Sequence, residues 1–370
     1  MKFFKTFLAC LLALFLFSFL AFVLPIVVLV VISFISTSQT SEIPQGSVLQ
    51  LNLTGELKDR QTLEDMPFNW LNESDYNVYF MDELSEVLKK AAGDSRIKGV
   101  SLSMEQFSAG FASVSELRSL LEEFRKSGKF VYAYSGAFSQ KDYYLATAAD
   151  TICINPVGTL DFKGISTSTR FYKGLLDKLG VEMQIIKVGT FKSAVEPYFR
   201  TSMSPEDRMQ TMQYVNGIWD EYKAEVSEAR NIPVEQLNAL ADQYMGLQSA
   251  QAQLQAGLVD TIVYTQDMDS LLRIYAGTKE YKTLTTTKLA QVKRTESLAT
   301  DEIAVLYLDG AITDETGDGI VGKEVVKTIK KIRKNDNIKA LVLRIHSPGG
   351  SADASEQIWH AIENVKADSI

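Results

Sequence analysis

Cysteine and histidine are both scarce in this sequence, with 2 residues of each among 370. Cys10 lies in an apolar N-terminal run and Cys153 in the strand-like segment "DTICINP", so no disulfide is expected between them and the fold does not depend on cross-links. His346 and His360 have no carboxylate at a metal-ligand spacing, so the sequence contains no metal motif. The scarcity of histidine also weakens any hypothesis of a serine–histidine catalytic pair.

Charged residues are absent from most of the N-terminal region. After Lys2 and Lys5, none occurs before Glu42, and the apolar stretch from Phe7 to Ile35 exceeds the roughly 18 residues that indicate a membrane span. It is also longer than the apolar part of an ordinary secretory signal, and no small-residue cleavage site follows it. Because basic residues precede the span, we predict an uncleaved anchor with a cytoplasmic N-terminus and the remaining chain outside. A cleaved signal peptide is the alternative.

The overall charge and the length limit the possible partners and the number of domains. A net charge of −8 at pH 7 argues against binding to nucleic acid. About 330 residues follow the anchor, which is more than one hydrophobic core usually serves. We therefore expect two domains after the anchor.

An internal repeat organises the part of the chain after the anchor. Three segments of a first copy resemble three of a second, in the pairs 47–57 with 302–312, 81–102 with 323–343, and 108–121 with 347–362. Each copy reads as strand, helix, strand, glycine turn and helix, which predicts a parallel α/β architecture with right-handed crossovers. The second copy stops inside its last helix at Ile370, so we expect the chain to be a fragment of a longer protein.

The repeat predicts three parts of the chain. Residues 1–40 form the cytoplasmic tip and the transmembrane anchor, residues 41–290 a first, complete domain, and residues 291–370 the start of a second domain that continues beyond the chain. The polar, threonine-rich segment 283–300 is predicted to connect the two domains.

The glycine turn of the second copy, "SPGG", is a candidate binding site. Gly349 and Gly350 follow a predicted buried strand and precede a helix, so their amides would suit an oxyanion or a phosphate. A tight turn without function is the alternative. Ser351 would need an adjacent base to act as a nucleophile, but His346 stands at a strand end and no G-x-S-x-G elbow is present. We predict that Ser351 caps the following helix instead.

Two further motifs are interpreted as structural. The segment "GDGIVG" at 317–322 fits a dinucleotide-binding pattern, but no acidic residue ends a strand at the spacing which that pattern requires. We predict a flexible loop there. The basic run 327–336 places isoleucines among lysines at helical spacing, which is typical of a solvated helix face.

A lysine follows a glycine turn in "QIIKVGTFKSAVEPYFRTSMSPEDR", residues 184–208. An apolar strand is predicted before the turn, and "SPED" at 204–207 is predicted to cap the helix after it. Lys192 stands among aromatic and apolar residues, a setting that could desolvate its amine, although a lysine taken alone is far more often a solvated surface charge. A lysine that serves as a general base has to be neutral near pH 7, which requires a pKa about 3 units below the ordinary 10.4.

The anchor, the two copies, "VGTFKSAVEPYFRTSMS" and "SPGG" together resemble the long, two-domain form of the signal peptide peptidase A (protease IV) family. The resemblance covers essentially the whole chain from the anchor to Ile370. It implies an α/β fold similar to Clp protease and crotonases, built from repeated ββα units in two tandem domains of which the second is truncated here. It also implies catalysis by a serine–lysine dyad without a metal or a cofactor.

The resemblance assigns site residues at the matching positions. Lys192 matches the general-base lysine, which the long form of the family takes from its first domain. Gly350 matches the oxyanion-hole glycine, and Gly349 beside it is a second candidate. The family's serine lies in a later strand-to-helix turn, which the comparison of the two copies places shortly after Ile370.

The first copy departs from the family pattern at the equivalent turn. Ser139 and Gln140 stand in the region of the nucleophile, and no glycine pair follows them. We therefore expect the first domain to have kept the lysine and lost the serine. His346 stands where the family often has asparagine, and the sequence assigns it no role.

The function implied by the resemblance is that of a membrane-anchored serine endopeptidase at the extracytoplasmic face of a bacterial inner membrane, which degrades signal peptides after their release. Its implied partners are signal peptides and other peptides, the lipid bilayer through the N-terminal helix, and further copies of itself in a homo-oligomer, a tetramer by resemblance. A non-catalytic membrane-tethered scaffold of the same fold and an acyl-CoA-handling enzyme of the crotonase type are the alternatives.

Overall fold

The computed structural model describes residues 2–24, 43–61, 77–292, 300–315, 317 and 319–367. The chain divides into two compact units, unit 1 (Met1–Lys293) and unit 2 (Arg294–Ile370).

An apolar helix begins the chain. Helix α1 (Lys2–Ser18) continues into a π-helical turn (Phe19–Val23). The 22 residues from Lys2 to Val23 are long and apolar enough to cross a membrane, and a signal sequence near an N-terminus would have the same properties. The remainder of the predicted anchor, within residues 25–42, lies outside the described residues.

Unit 1 contains a parallel sheet. Its strands are β1 (Ser47–Lys58), β2 (Val78–Phe80), β3 (Ile97–Ser108), β4 (Phe130–Phe138), β5 (Thr151–Leu160), β6 (Thr261–Ile262) and β7 (Lys282–Thr285). The order across the sheet is β2-β1-β3-β4-β5-β6, with β7 also on β1, and all of these described pairs are parallel. The predicted parallel α/β class is confirmed.

Further helices belong to unit 1. They are α2 (Met81–Gly93), α3 (Phe111–Arg125), α4 (Gln140–Ala146), α5 (Lys173–Leu179), α6 (Glu196–Phe199), α7 (Pro205–Arg230), α8 (Val234–Asp242), α9 (Ala250–Gln255), α10 (Met268–Ala276) and α11 (Thr286–Ala290). In α2, Leu84, Leu88 and Ala91 recur at helical spacing and are buried in the core of unit 1. Because parallel strands bury both faces, the carboxyl ends of the strands are where a ligand can reach the sheet.

The predicted connection 283–300 is wrong for its first part. Residues of β7 pair with β1, and α11 packs on α2, where Lys90 Nζ donates a hydrogen bond to the Ala290 carbonyl at 3.2 Å. Leu284 and Leu289 are buried and hold this segment in the core of unit 1. Residues 293–299 lie outside the described residues.

Unit 2 contains strands β8 (Glu302–Asp309), β9 (Ile312–Thr313), β10 (Ile320–Val321) and β11 (Ile338–His346), with helices α12 (Gly322–Arg333) and α13 (Ala352–Ala367). Strand β8 pairs with β11 and β9 with β10, both in parallel. The order β8, α12, β11, α13 follows the same sequence of element types as β1, α2, β3, α3 in unit 1. A small core of its own holds unit 2 together, built around Leu308, Ile329 and Ile358.

Two predictions about unit 2 have different outcomes. The basic run does form a solvated helix face, since Ile329 is buried while Lys327 and Lys330 are exposed. The flexible loop predicted at "GDGIVG" is wrong for its second half, because β10 and the start of α12 lie there. A Cβ on Gly322 would lie 2.7 Å from Ala354 Cβ, so this glycine allows α12 and α13 to approach closely.

Candidate functional site

The turn between β11 and α13 is fixed by the backbone of β9. The Ile312 N–H donates to the Gly349 carbonyl at 3.0 Å, and the Ser351 N–H donates to the Ile312 carbonyl at 2.9 Å. These two bonds form a parallel bridge between Ile312 and Gly350, and in such a bridge the N–H of Gly350 itself points away from Ile312. No acceptor among the described residues binds this N–H. It is therefore available to an external oxygen.

Both positions of the glycine pair require glycine. Gly349 has a φ of 103°, which residues with a side chain rarely adopt. A Cβ on Gly350 would lie 2.1 Å from the Ile312 carbonyl oxygen, which is far inside van der Waals contact. The sequence motif thus has a structural cause, and the same packing aims the Gly350 amide outward.

Ser351 acts as a helix cap, as predicted. Its Oγ accepts a hydrogen bond from the Ala354 N–H at 3.2 Å and donates one to the Asp314 carboxylate. The Ser355 hydroxyl donates to the Ser351 carbonyl at 2.7 Å. The Ser351 hydroxyl is held by groups that fix the start of α13, and no lysine or histidine contacts it among the described residues.

A histidine–carboxylate pair lies at the carboxyl ends of β8 and β11. His346 Nδ1 is 2.8 Å from Asp309 Oδ1, and His346 is 85% exposed. Beneath the pair, the Gly310 N–H donates to the His346 carbonyl at 2.9 Å, and the Ser347 hydroxyl donates to the Gly310 carbonyl at 2.6 Å. Asp309 is absent from the sequence-based candidates because the two residues are 37 positions apart and only strand pairing brings them together.

Lys192 lies in unit 1 between α5 and α6, outside regular structure. It is exposed, and its Nζ has no hydrogen-bond or ion-pair partner among the described residues. Of the two environments that the sequence left open for this amine, the described residues show the solvated one, since Lys192 is exposed and the neighbouring Phe191 is itself 50% exposed. The strand predicted for "QIIKV" is wrong, because Ile186 and Val188 are solvent-exposed and no described strand pairs with them.

A buried carboxylate anchors the chain directly after Lys192. Glu196 is only 2% exposed and accepts two hydrogen bonds from Ser204, one from its N–H at 3.0 Å and one from its hydroxyl at 2.6 Å. Ser204 Oγ accepts in turn from the Asp207 N–H at 3.0 Å, which confirms the predicted cap of α7. Gln210 Nε2 donates to the Ser193 hydroxyl at 2.6 Å. One end of the exposed lysine segment is thus fastened to α7.

The charge of Glu196 depends on these contacts. Burial by itself raises the pKa of the Glu196 carboxyl, but the hydrogen bonds from Ser204, with a smaller contribution from the nearby Arg200, hold that pKa below its ordinary value. The Glu196 side chain is therefore an ionised carboxylate inside the protein, and the two hydrogen bonds from Ser204 offset the cost of burying its charge.

Replacing Glu196 by glutamine is expected to loosen this anchor. The amide offers one acceptor where the carboxylate offers two, so one bond to Ser204 is lost, which costs about 1.5–3 kcal/mol for a bond to a charged group. Folding lowers the pKa of Glu196. Its contribution to the free energy of unfolding is therefore present above the ordinary pKa of 4.5 and is lost as the pH falls through the lowered pKa. Hydrogen exchange of residues 193–204 should be faster in Glu196→Gln than in the wild type at pH 7, and the difference should shrink in acid. Equal exchange in Glu196→Gln and in the exposed control Glu228→Gln would contradict this role.

The equivalent turn of unit 1 is occupied by structural contacts. Ser139 Oγ accepts from the Asp142 N–H at 3.2 Å while Asp142 Oδ2 accepts from the Ser139 N–H at 3.1 Å, a reciprocal cap of α4. Gln140 Oε1 accepts from the Lys163 N–H at 2.9 Å. Both residues that stand in the nucleophile region of the first copy therefore have structural partners.

The sequence is similar to a peptidase family and to several proteases. A model of peptidase family S49 matches residues 123–279. Protease 4 of Haemophilus influenzae is 33% identical over 365 residues, which cover 90% of this chain and 56% of that protein. Protease 4 of Salmonella typhi is 34% identical over 289 residues, 75% of this chain and 46% of that protein. The chloroplastic serine protease SPPA of Arabidopsis thaliana is 29% identical over 333 residues, 87% of this chain and 47% of that protein. The chain thus spans about half the length of these relatives.

Proposed function

Because the chain belongs to the S49 peptidase family, together with Protease 4 and signal peptide peptidase A, we propose that it forms part of a serine endopeptidase that uses a serine–lysine dyad. The observation that supports this proposal most directly is the Gly350 turn, whose amide is free of partners among the described residues and points away from the backbone that holds it. A preorganised amide of this kind stabilises the oxyanion of a tetrahedral intermediate.

Lys192 is the proposed general base. Its amine would take the proton from the attacking serine hydroxyl and later deliver it to the departing amine of the cleaved peptide bond. This role needs a neutral amine. Because Lys192 is exposed among the described residues, a further surface has to cover it and exclude water in the active protein. The anchor at Glu196 and Ser204 would hold the segment against such a surface.

The nucleophile is proposed to lie in a segment that follows residue 370. The hydroxyls of Ser139 and Ser351 are engaged as helix caps, which argues against either of them. The greater length of the relatives is compatible with a further segment.

The proposed substrates are signal peptides after their release from preproteins. Helix α1 supports this choice because a membrane anchor raises the local concentration of peptides that leave the bilayer. We propose an inner-membrane location with a cytoplasmic N-terminus and an extracytoplasmic catalytic part, and assembly as a homo-oligomer.

A non-catalytic, membrane-tethered binding protein is the second candidate. The exposure of Lys192 and the engagement of both candidate serines favour it. Labelling with a fluorophosphonate probe separates the two functions. We expect a longer form that carries the proposed nucleophile to be labelled on one serine after residue 370, and residues 1–370 to remain unlabelled. Label on Ser139 or Ser351 would disprove the assignment of the nucleophile, and an unlabelled longer form would favour the binding protein.

A further inference from the structure

Strands β3 and β4 separate near their carboxyl ends. Their pairing runs from Gly99 beside Phe130 to Ser103 beside Tyr134 and stops there. Beyond this point β3 continues along β1 and β4 continues along β5. The facing edges of the two strands therefore diverge within unit 1, and their main-chain groups no longer pair with each other.

A cleft of about 480 Å³ lies at this divergence, and we call it the β3–β4 cleft. Its lining includes Gly55, Glu105, Gln106, Ser135 and Gly136. The Ser135 hydroxyl donates to the Met104 carbonyl at 2.9 Å and closes the floor. The cleft lies at the carboxyl ends of parallel strands, where ligands of α/β proteins bind.

Two details of the wall resemble a binding surface more than a packing defect. Gln106 is a bulge residue, unpaired between the partners of Thr54 and Gly55, and it has a φ of 53°. Bulges and positive φ values at residues with side chains concentrate at functional sites. Glu105 is exposed, and its carboxylate has no hydrogen-bond or ion-pair partner among the described residues. The wall thus presents a carboxylate without a partner beside two strand edges that no longer pair with each other, and at these edges the Met104 carbonyl and the Ala137 N–H are bonded to the Ser135 hydroxyl.

Among the described residues, no free nucleophile lies at the turn that follows β4. The turn that stands where a nucleophile would be expected carries Ser139 in its helix cap, and Lys141 Nζ donates to the Ala109 carbonyl at 2.5 Å. The glycine turn of unit 1 therefore presents a carbonyl to a cation, whereas the turn of unit 2 presents a free amide.

We propose that the β3–β4 cleft binds an extended peptide segment as an added strand, with a lysine or arginine side chain beside Glu105, and does not cleave it. Extended peptides bind open strand edges through main-chain hydrogen bonds, and side-chain pockets supply the preference. A carboxylate in a cleft of an acidic protein selects a basic side chain by charge. This site is separate from the proposed dyad and needs neither Lys192 nor Gly350.

Gly136 offers a direct way to fill the cleft. A Cβ on Gly136 meets no atom within 4 Å and its φ is not positive, so the backbone accepts a side chain there, and Gly136→Val adds bulk at the lining of the cleft. Gly164 has the same open surroundings and lies outside the lining, so Gly164→Val is the matched control. Glu105→Gln removes the charge at an exposed position without partners and does not threaten folding.

Fluorescence anisotropy of residues 1–370 in detergent tests the proposal. The probes are carboxyfluorescein-labelled Ala-Val-Ala-Lys-Ala-Val-Ala and the same peptide with glutamate in place of lysine. We expect Gly136→Val to weaken binding of the lysine peptide about tenfold while Gly164→Val leaves it unchanged. Glu105→Gln should weaken it about threefold, as for a partly exposed ion pair.

Three results would overturn the proposal. One is unchanged binding of the lysine peptide to Gly136→Val, another is equal binding of the lysine and glutamate peptides to the wild type, and the third is cleavage of the bound peptide by residues 1–370. The readout is peptide binding to residues 1–370. A failure of the cleft proposal would therefore leave the Lys192 proposal intact, and a loss of peptidase activity in a Lys192 variant would not bear on the cleft proposal.

Discussion

Lys192→Ala is expected to lower the peptidase activity of the form that carries the proposed nucleophile by about 10²- to 10⁴-fold, the usual contribution of a general base. The loss should fall on kcat, because the amine acts in the proton transfer and not in the binding of the peptide chain. Lys192→Arg should be equally inactive, since a guanidinium stays protonated and cannot accept the serine proton. Steady-state cleavage of a fluorogenic peptide would measure both variants.

Lys187 provides the matched control for this prediction. It is an exposed lysine on the same segment, and its Nζ lies 5.5 Å from the centre of the Phe199 ring. Lys187→Ala should retain activity within about threefold, because loss of an exposed cation–π contact costs about 0.5–1 kcal/mol. Full activity of Lys192→Ala would exclude the dyad and favour the non-catalytic binding protein.

Gly350→Ala is expected to disrupt unit 2 more than any other single methyl group added to the turn. The new Cβ would lie 2.1 Å from the Ile312 carbonyl oxygen and 2.7 Å from the Ile312 nitrogen, so the backbone of β9 has to move. Overpacking of this kind costs about 1–3 kcal/mol or more. The two bridge hydrogen bonds should break, and hydrogen exchange at the amides of Ile312 and Ser351 should accelerate.

Gly349→Ala separates the effect of the clash from that of backbone strain. No atom lies within 4 Å of a Cβ at Gly349, so only the φ of 103° opposes the substitution, at a cost of about 1–3 kcal/mol. The bridge to Ile312 should survive in this variant and be lost in Gly350→Ala. Normal exchange protection of Ile312 and Ser351 in Gly350→Ala would show that the turn tolerates a side chain, and the account of the glycine pair would then be wrong.

Local signals in the sequence were sufficient for several parts of the structure. The caps at Ser351 and Ser204 follow from the residue types within one turn of a helix, and the solvated face of α12 follows from the spacing of its isoleucines. The parallel sheet follows from strands that alternate with helices. These features depend on short-range chemistry, which a single sequence displays.

The parts that sequence reasoning missed depend on contacts between distant segments. Strand β7 contains a single buried leucine, Leu284, in a threonine-rich run, so only its pairing with β1 identifies it. Lys192 is exposed because its apolar neighbours in sequence do not pack over it, and the sequence alone does not show how these side chains pack. The partners of Glu196 and His346 are likewise set by tertiary contacts, since Ser204 and Asp309 carry no sequence signal for these roles.

The positions of Lys192 and Gly350 on separate units affect the nascent chain during synthesis. Unit 1 has its own core and can fold while unit 2 is still being made, because domains generally fold as units from the N-terminus. The growing chain then exposes a lysine to water and has neither the glycine turn nor the proposed serine. If the proposed dyad is the catalytic site, an unfinished molecule is therefore expected to be inactive toward the polypeptides that emerge beside it.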